Sequence, residues 1–372
     1  MMAEQTVYKP GLDGVIAAET GISYLDVEAE EIVIRGYELI ELAEKKQYLD
    51  LVHLLLQGSL PKDSDRASLQ KELKQEYSLP PKFFRLFEQL PKKTHPMDAL
   101  RTGISALSGY DERLNERNEE ENLKKAMLLL AKIPNIVANS YHILHGQKPV
   151  KPKQDLPYSD NFLYMITGKK PTAREAAIFD QSLMVYSEHE MPNSTFAARV
   201  IASTNADIYG ALTGAVASLK GNLHGGANEA VMYMLLEGET IEGFRYLLYK
   251  KLKNKEKVMG FGHRVYMKKM DPRAALMKEA LRELAEEKGR MDLFEMCEAG
   301  ETLIREEKGL YPNLDYYAAP VYYLLGIPIE LYTPIFYASR TLGLCAHIFE
   351  QHSNNKLFRP RVHYTGPRGL HP

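Results

Sequence analysis

Residues 37–57 read YELIELAEKKQYLDLVHLLLQ. The apolar side chains Leu39, Ile40, Leu42, Ala43, Leu49, Val52 and Leu56 recur mostly at helical spacings, and Gly58 closes the run. The pattern predicts one amphipathic helix. The same periodicity returns over 175–186, 196–203, 228–236, 273–288, 295–308 and 336–350. Strand character is confined to Val15-Ile16 and Ile32-Val33-Ile34, read as a small N-terminal β-hairpin. The fold class expected is therefore all-α, without a fixed repeat or a low-complexity linker.

A further helical run, Tyr209–Leu219, sets Gly210, Gly214 and Ser218 four apart on one face. Small side chains at that spacing let two helices approach closely, inside one chain or between two. Spacing alone leaves both open.

The chain has 372 residues and a net charge of -2 at pH 7, enough for two or three domains and a sizeable core. Such a balance offers no basic field for nucleic acid, so an anionic ligand would need local clusters. The opening residues lack the apolar core of a signal peptide, and no apolar run approaches the ~18 residues of a membrane span. A cytoplasmic protein with no membrane and no nucleic-acid partner is expected. Cys297 and Cys345 are two isolated cysteines, read as buried hydrophobes rather than a disulfide or a zinc cage.

Chemistry is concentrated in four segments. Gly221-Asn222-Leu223-His224-Gly225-Gly226-Ala227-Asn228-Glu229 frames a histidine with glycines where a helix begins, a turn that other groups can approach closely. Gly260-Phe261-Gly262-His263 frames a second one. Asp271-Pro272-Arg273 follows, and Tyr311-Pro312-Asn313-Leu314-Asp315-Tyr316 presents a carboxylate in a Pro-containing turn.

These segments, in this order, resemble the citrate synthase family, which includes the 2-methylcitrate synthases. Other landmarks agree: Ser187-Glu188-His189-Glu190, Thr333-Pro334-Ile335-Phe336 with Ser339-Arg340, and Phe358-Arg359-Pro360. The long motifs around His189 and His263 are most similar to the short, Gram-positive-type members, some of which accept both acetyl-CoA and propionyl-CoA.

The resemblance implies condensation of an acyl-CoA with oxaloacetate and hydrolysis of the thioester, with no metal and no organic cofactor. It implies a large helical domain of residues 1–222 plus 317–372 and a small one of 223–316, with the cleft between them and a hinge at Gly221, Gly225 and Gly226. It also implies a homodimer with helices crossing at the interface, which favours that use of the Tyr209–Leu219 face.

Its catalytic residues map onto His224, His263 and Asp315. A proton must leave a carbon whose pKa lies far above neutral, so a carboxylate base needs a partner that stabilises the enol. Asp315 is the base expected. His224 is the neutral enol donor, its tautomer fixed by a backbone contact. His263 polarises the ketone and protonates the new alkoxide. The two carboxylates of oxaloacetate call for planar bidentate partners. His189, Arg273, Arg340 and Arg359 take that role, Arg359 reaching the neighbouring subunit's site. Val258, Met259, Gly260, Phe261 and Gly262 match a loop whose backbone surrounds the adenine of CoA, with Lys268 and Lys269 near its phosphates. Met267-Lys268-Lys269-Met270 is one residue longer than the family's usual spacing.

Two other readings compete. A metal-dependent hydrolase would use His189, His224, His263 and Asp315 as ligands, although no short-range pairing of metal-type residues is present. A non-catalytic helical interaction protein gives no reason for arginines in three separate motifs to converge.

Overall fold

The structure is a computed structural model describing residues 8–12, 14–26, 28–29, 31–263, 266 and 269–372. Three short strands, β1 Ser23–Asp26, β2 Glu31–Ile34 and β3 Tyr37–Glu38, form an antiparallel sheet. The helices begin with α1 Leu39–Lys45, α2 Tyr48–Gln57, α3 Asp63–Glu76, α4 Pro81–Glu88, α5 Pro96–Leu107 and α6 Glu119–Leu144. They continue with α7 Tyr158–Thr167, α8 Ala173–Ser187, α9 Asn193–Ala202, α10 Ile208–Leu219 and α11 Ala227–Gly238. The last five are α12 Ile241–Lys253, α13 Pro272–Lys288, α14 Met291–Lys308, α15 Leu314–Leu324 and α16 Tyr332–Ser353. The all-α expectation holds, with the sheet confined to the N-terminal region.

Helix α16 is the axis of the core. It is buried on almost every side and packs against α2, α5, α6, α8, α9, α10 and α11. A helix whose surface is mostly apolar on every side belongs in that position, and the buried polar groups it carries, Arg340 and His347 among them, are hydrogen-bonded. Its one buried arginine, Arg340, therefore sits deep inside the molecule.

Two expectations need correction. The hairpin pairs β1 with β2, not Val15-Ile16 with Ile32–Ile34, and Ile16 is 91% exposed. The strand that does pair, Ser23-Tyr24-Leu25-Asp26, turns Ser23 and Leu25 inward, an alternation with too little apolar content to stand out. The single helix predicted over 37–57 is two. Lys46 and Gln47 are extended, and the Asp50 carboxylate accepts from Gln47 N at 2.9 Å, starting a second helix there. The small-residue face of α10 is used at two positions within the chain. A Cβ on Gly214 would lie 2.1 Å from Cδ1 of Ile201, and Ser218 Oγ donates to Asn193 Oδ1 at 2.6 Å, both on α9.

What positions the site is a stitch between two loops. Gly262 N donates to Tyr311 O and Asn313 N to Gly260 O, each at 2.9 Å, around an isolated bridge of Phe261 with Pro312. Gly260 has φ of 85°, and a Cβ there would lie 2.7 Å from Val231 Cγ2, so no other residue fits without displacement. The Asn313 side chain caps α15 by accepting from Asp315 N at 3.1 Å, while its amide donates to Gly262 O. The histidine loop and the carboxylate helix are thereby locked together.

Candidate active site

Asp315 lies in the first turn of α15, partly buried. Its Oδ1 accepts from the Tyr186 hydroxyl at 2.7 Å. Burial pushes its carboxyl up to about 6, against the opposing pull of the Tyr186 bond and the charges of Arg273 and Arg340.

His224 precedes α11, and its Nε2 faces Ser194, which heads α9 with Asn193. The Ser194 backbone N–H donates to that nitrogen at 3.3 Å, with the hydroxyl at 2.9 Å. A backbone N–H can only donate, so Nε2 is the acceptor and a neutral His224 carries its proton on Nδ1. This supplies the backbone contact expected at His224. Burial, with the Arg340 charge adding to it, depresses its pKa to about 4.

Gly225 shows why glycines flank this histidine. A Cβ there would meet Leu219 O at 2.5 Å. None of Gly221, Gly225 and Gly226 has a positive φ, so close approach, rather than permissive dihedrals, accounts for Gly225.

His189, His263 and Tyr266 form an aromatic cluster. The ring centroids of His189 and His263 are 5.2 Å apart, those of His263 and Tyr266 4.9 Å, and the Tyr266 hydroxyl lies 3.4 Å from His189 Nε2. Burial followed by the Arg273 charge lowers both histidines, His263 to about 4 and His189 well below its usual range. Both rings are neutral at pH 7.

Arg273, in the first turn of α13, is held by Asp271, whose carboxylate takes Nε at 3.0 Å and Nη2 at 2.7 Å. One edge of its fork is thus committed within the chain. Asp271 also accepts from Arg273 N, so the Asp-Pro-Arg motif caps the helix and aims the guanidinium together. Arg340 is 2% exposed, and its one hydrogen bond among the described residues is from Nε to Tyr186 O at 2.6 Å. Burial and the nearby Arg273 pull its pKa down to about 10, against the opposing Glu188 charge. A buried guanidinium with a free fork beside a second arginine and three neutral histidines is a site built for an anion.

The chain matches the family model "Citrate synthase, C-terminal domain" over residues 11–361. A protein of Heyndrickxia coagulans named citrate synthase is 65% identical over 369 residues, 99% of either chain. The citrate/2-methylcitrate synthase of Bacillus subtilis (strain 168) is also 65% identical, over 367 residues and 99% of either chain. This chain belongs to the citrate synthase family. The citrate synthase of Thermoplasma acidophilum, solved as a ternary complex with carboxymethyl coenzyme A and oxaloacetate, superposes with a TM-score of 0.91. It is 29% identical, and the match covers 97% of each chain. As a member of the family, the protein is an acyltransferase that condenses an acyl-CoA with oxaloacetate and hydrolyses the thioester.

Six of the residues singled out by sequence stand in or beside one cluster, His189, His224, His263, Arg273, Arg340 and Asp315, and the Gly260–Gly262 turn flanks it. Arg359 does not join it within this chain. The tail ahead of it is anchored on α9: Asn355 Nδ2 donates to Ser203 O, Phe358 N to Ser203 Oγ, and the Phe358 ring meets Phe196 edge-on. Arg359 itself is exposed.

Of the residues matched to CoA, Val258 and Phe261 turn their side chains into the core, and Phe261 packs on Tyr316 at 4.5 Å. Met259 is half-buried and Lys269 exposed. Lys268 lies outside the described residues. Among the described residues no group of three or more His, Cys, Asp or Glu side chains is placed to hold a metal, which leaves the hydrolase reading without a ligand set. No helix of the described chain is long and apolar enough to cross a membrane.

Sequence reasoning missed Tyr186, Ser194 and Asp271 as parts of the site. Asp271 belongs to the Asp-Pro-Arg motif, and its position just before Pro272 is an N-cap signal. Tyr186 and Ser194 act across separations of 129 and 30 residues, which no local pattern encodes.

Proposed function

We propose that Asp315 removes the α-proton of the acyl-CoA while the His224 Nδ1–H donates to the thioester oxygen, giving an enol. The α-carbon then bonds to the ketone carbon of oxaloacetate, and the ketone oxygen takes a proton from His263 to become the hydroxyl. Water cleaves the C–S bond, releasing CoA thiol and the new carboxylate. Neutral histidines suit both steps, since each donates without needing to be imidazolium. His189, Arg273 and Arg340 hold the oxaloacetate carboxylates, and Arg359 completes the site of the neighbouring subunit in a homodimer. The loop Val258–Gly262 meets the adenine of CoA, with Lys268 and Lys269 near its phosphates. The carbonyls of Gly260 and Gly262 already accept from Asn313, so adenine contacts would fall to the backbone of Val258, Met259 and Phe261. The cycle uses no metal or organic cofactor, and the protein works in the cytoplasm.

The observation that carries this reading is the buried Arg340 with its free fork, one hydrogen bond from the residue that also holds Asp315. The two-domain division, 1–222 plus 317–372 around 223–316, fits a site that draws His224, His263 and Asp315 from the inserted part and His189 and Arg340 from the rest. Closure at its second end would bend α15, which runs unbroken from Leu314 to Leu324.

The pH dependence follows from the groups named. Asp315 must be ionised to act, and its raised pKa of about 6 means activity is lost as pH falls through that value. His224 and His263, at about 4, stay neutral well below it. Accordingly kcat/KM should show one acid limb near pH 6, and a limb at pH 4 would transfer the base role elsewhere.

We further propose that the enzyme accepts both propionyl-CoA and acetyl-CoA. One methylene in an apolar pocket is worth about 1 to 3 kcal/mol, so overlapping activities are expected. Measuring kcat/KM for both acyl-CoAs in parallel, by thiol release, tests this. A ratio beyond roughly 10³ would make the enzyme single-purpose.

A further inference from the structure

Tyr186 lies in the last turn of α8, 1% exposed, and does two things at once. Its backbone carbonyl is one of the four a helix leaves without an internal partner, and it accepts from Arg340 Nε at 2.6 Å. Its hydroxyl donates to Asp315 Oδ1 at 2.7 Å. The same residue thus orients the buried arginine on α16 and the carboxylate on α15. Its ring is fixed by Phe336 at 4.6 Å and by stacking on Tyr322 at 6.3 Å.

We propose that Tyr186 is a positioning residue of the condensation: its phenol holds Oδ1 of Asp315, keeps the carboxylate ionised and presents Oδ2 to the acyl α-carbon. The inference rests on the assignment of Asp315 as the base. A carboxylate in the first turn of a capped helix can rotate about its terminal torsion, and one bond to Oδ1 removes that freedom. Tyr186 is suited to the task because it cannot take the proton itself. Burial and the adjacent Asp315 charge push its own pKa well above the usual range, so it remains a donor throughout the working pH.

The other groups facing Asp315 are Asp271 and Arg273 at the start of α13 and Arg340 on α16. The two arginines favour the ionised carboxylate and Asp271 opposes it. Both arginines are also expected to bind oxaloacetate, so their charge is shared with substrate. The Tyr186 bond to Asp315 is not shared with substrate, and the neutral Asn228 amide also acts on that hydroxyl.

Tyr186→Phe keeps the ring and removes the donor. A hydrogen bond to a charged group of this kind corresponds to roughly a 10- to 100-fold loss in kcat, with KM for oxaloacetate within about twofold of wild type. The acid limb of kcat/KM should move upward by about one pH unit, because the carboxylate loses a bond that stabilised its charged form. Added to Asp315→Asn, the substitution should cost almost nothing more, since it acts through that carboxylate. A merely structural tyrosine would lower activity in both backgrounds and leave the limb in place. Should the Phe variant not fold, site-specific replacement of Tyr186 by 3-fluorotyrosine preserves packing and strengthens the donor, moving the limb downward. An unmoved limb in the folded variant overturns the inference while the base assignment stands, provided Asp315→Asn is dead. If Asp315→Asn keeps more than a tenth of wild-type turnover, the base assignment itself fails and the inference falls with it.

Discussion

Asp315→Asn is expected to yield a folded protein that binds oxaloacetate nearly as well as wild type and turns over at least 10²-fold more slowly. The amide matches the carboxylate in size and shape but cannot accept the α-proton, and a positioned general base contributes about 10² to 10⁴ in rate. The same substitution should raise thermal stability, and the sign can be worked out. Burial raises the Asp315 pKa from 3.8 to about 6, so the folded state favours the protonated form. The stabilisation this brings is complete below the unfolded pKa and is lost as pH rises through about 6. At pH 8 the native carboxylate is therefore a charge held at a cost that a neutral Asn does not carry. A melting temperature at pH 8 no lower than wild type, with turnover abolished, would mark Asp315 as a residue kept for chemistry against stability. A fall in activity of less than tenfold would remove it from the base role.

How much of this was legible in the sequence depends on the range of each interaction. His224, His263, Arg273 and Asp315 were found because each sits in a short motif whose glycine, proline or cap residues are themselves consequences of the local geometry. Gly260 is a clear case, since its positive φ and its contact with Val231 leave room for no side chain. The all-α class was equally legible, because helical periodicity repeats every few residues. Where local signals competed, the reading went astray. The apolar spacing of 37–57 runs through Lys46 and Gln47, yet Asp50 caps a new helix and Tyr48 N donates to Asp180, 132 residues away. A stripe of small residues announces a close approach without saying to what: Gly214 meets Ile201 of the same chain, one of the two uses its spacing leaves open. Tyr186 and Ser194 were invisible for the same reason: their partners are brought to them only by tertiary packing.

Arg359 offers the sharpest test of assembly, because in one chain it is an exposed residue at the end of an anchored tail, outside the cluster that its motif assigns it to. An exposed arginine of that kind is ordinarily dispensable. If it is instead buried against a substrate carboxylate in the neighbouring subunit, its loss should cost roughly 2 to 5 kcal/mol of transition-state stabilisation. Arg359→Ala and Asp315→Asn homodimers should then each be nearly inactive. Co-refolding equal amounts of the two should restore about a quarter of wild-type activity, since half of the dimers are mixed and each mixed dimer has one site with both residues intact. The rescue arises only if a site draws Asp315 from one chain and Arg359 from the other. With both residues serving the same subunit, every site in a mixed dimer lacks one of them. Mixed dimers confirmed by mass and still inactive would place Arg359 in its own subunit's site or in none, whereas regained activity would mean that the catalytic unit is the dimer and that the tail after α16 exists to complete its neighbour.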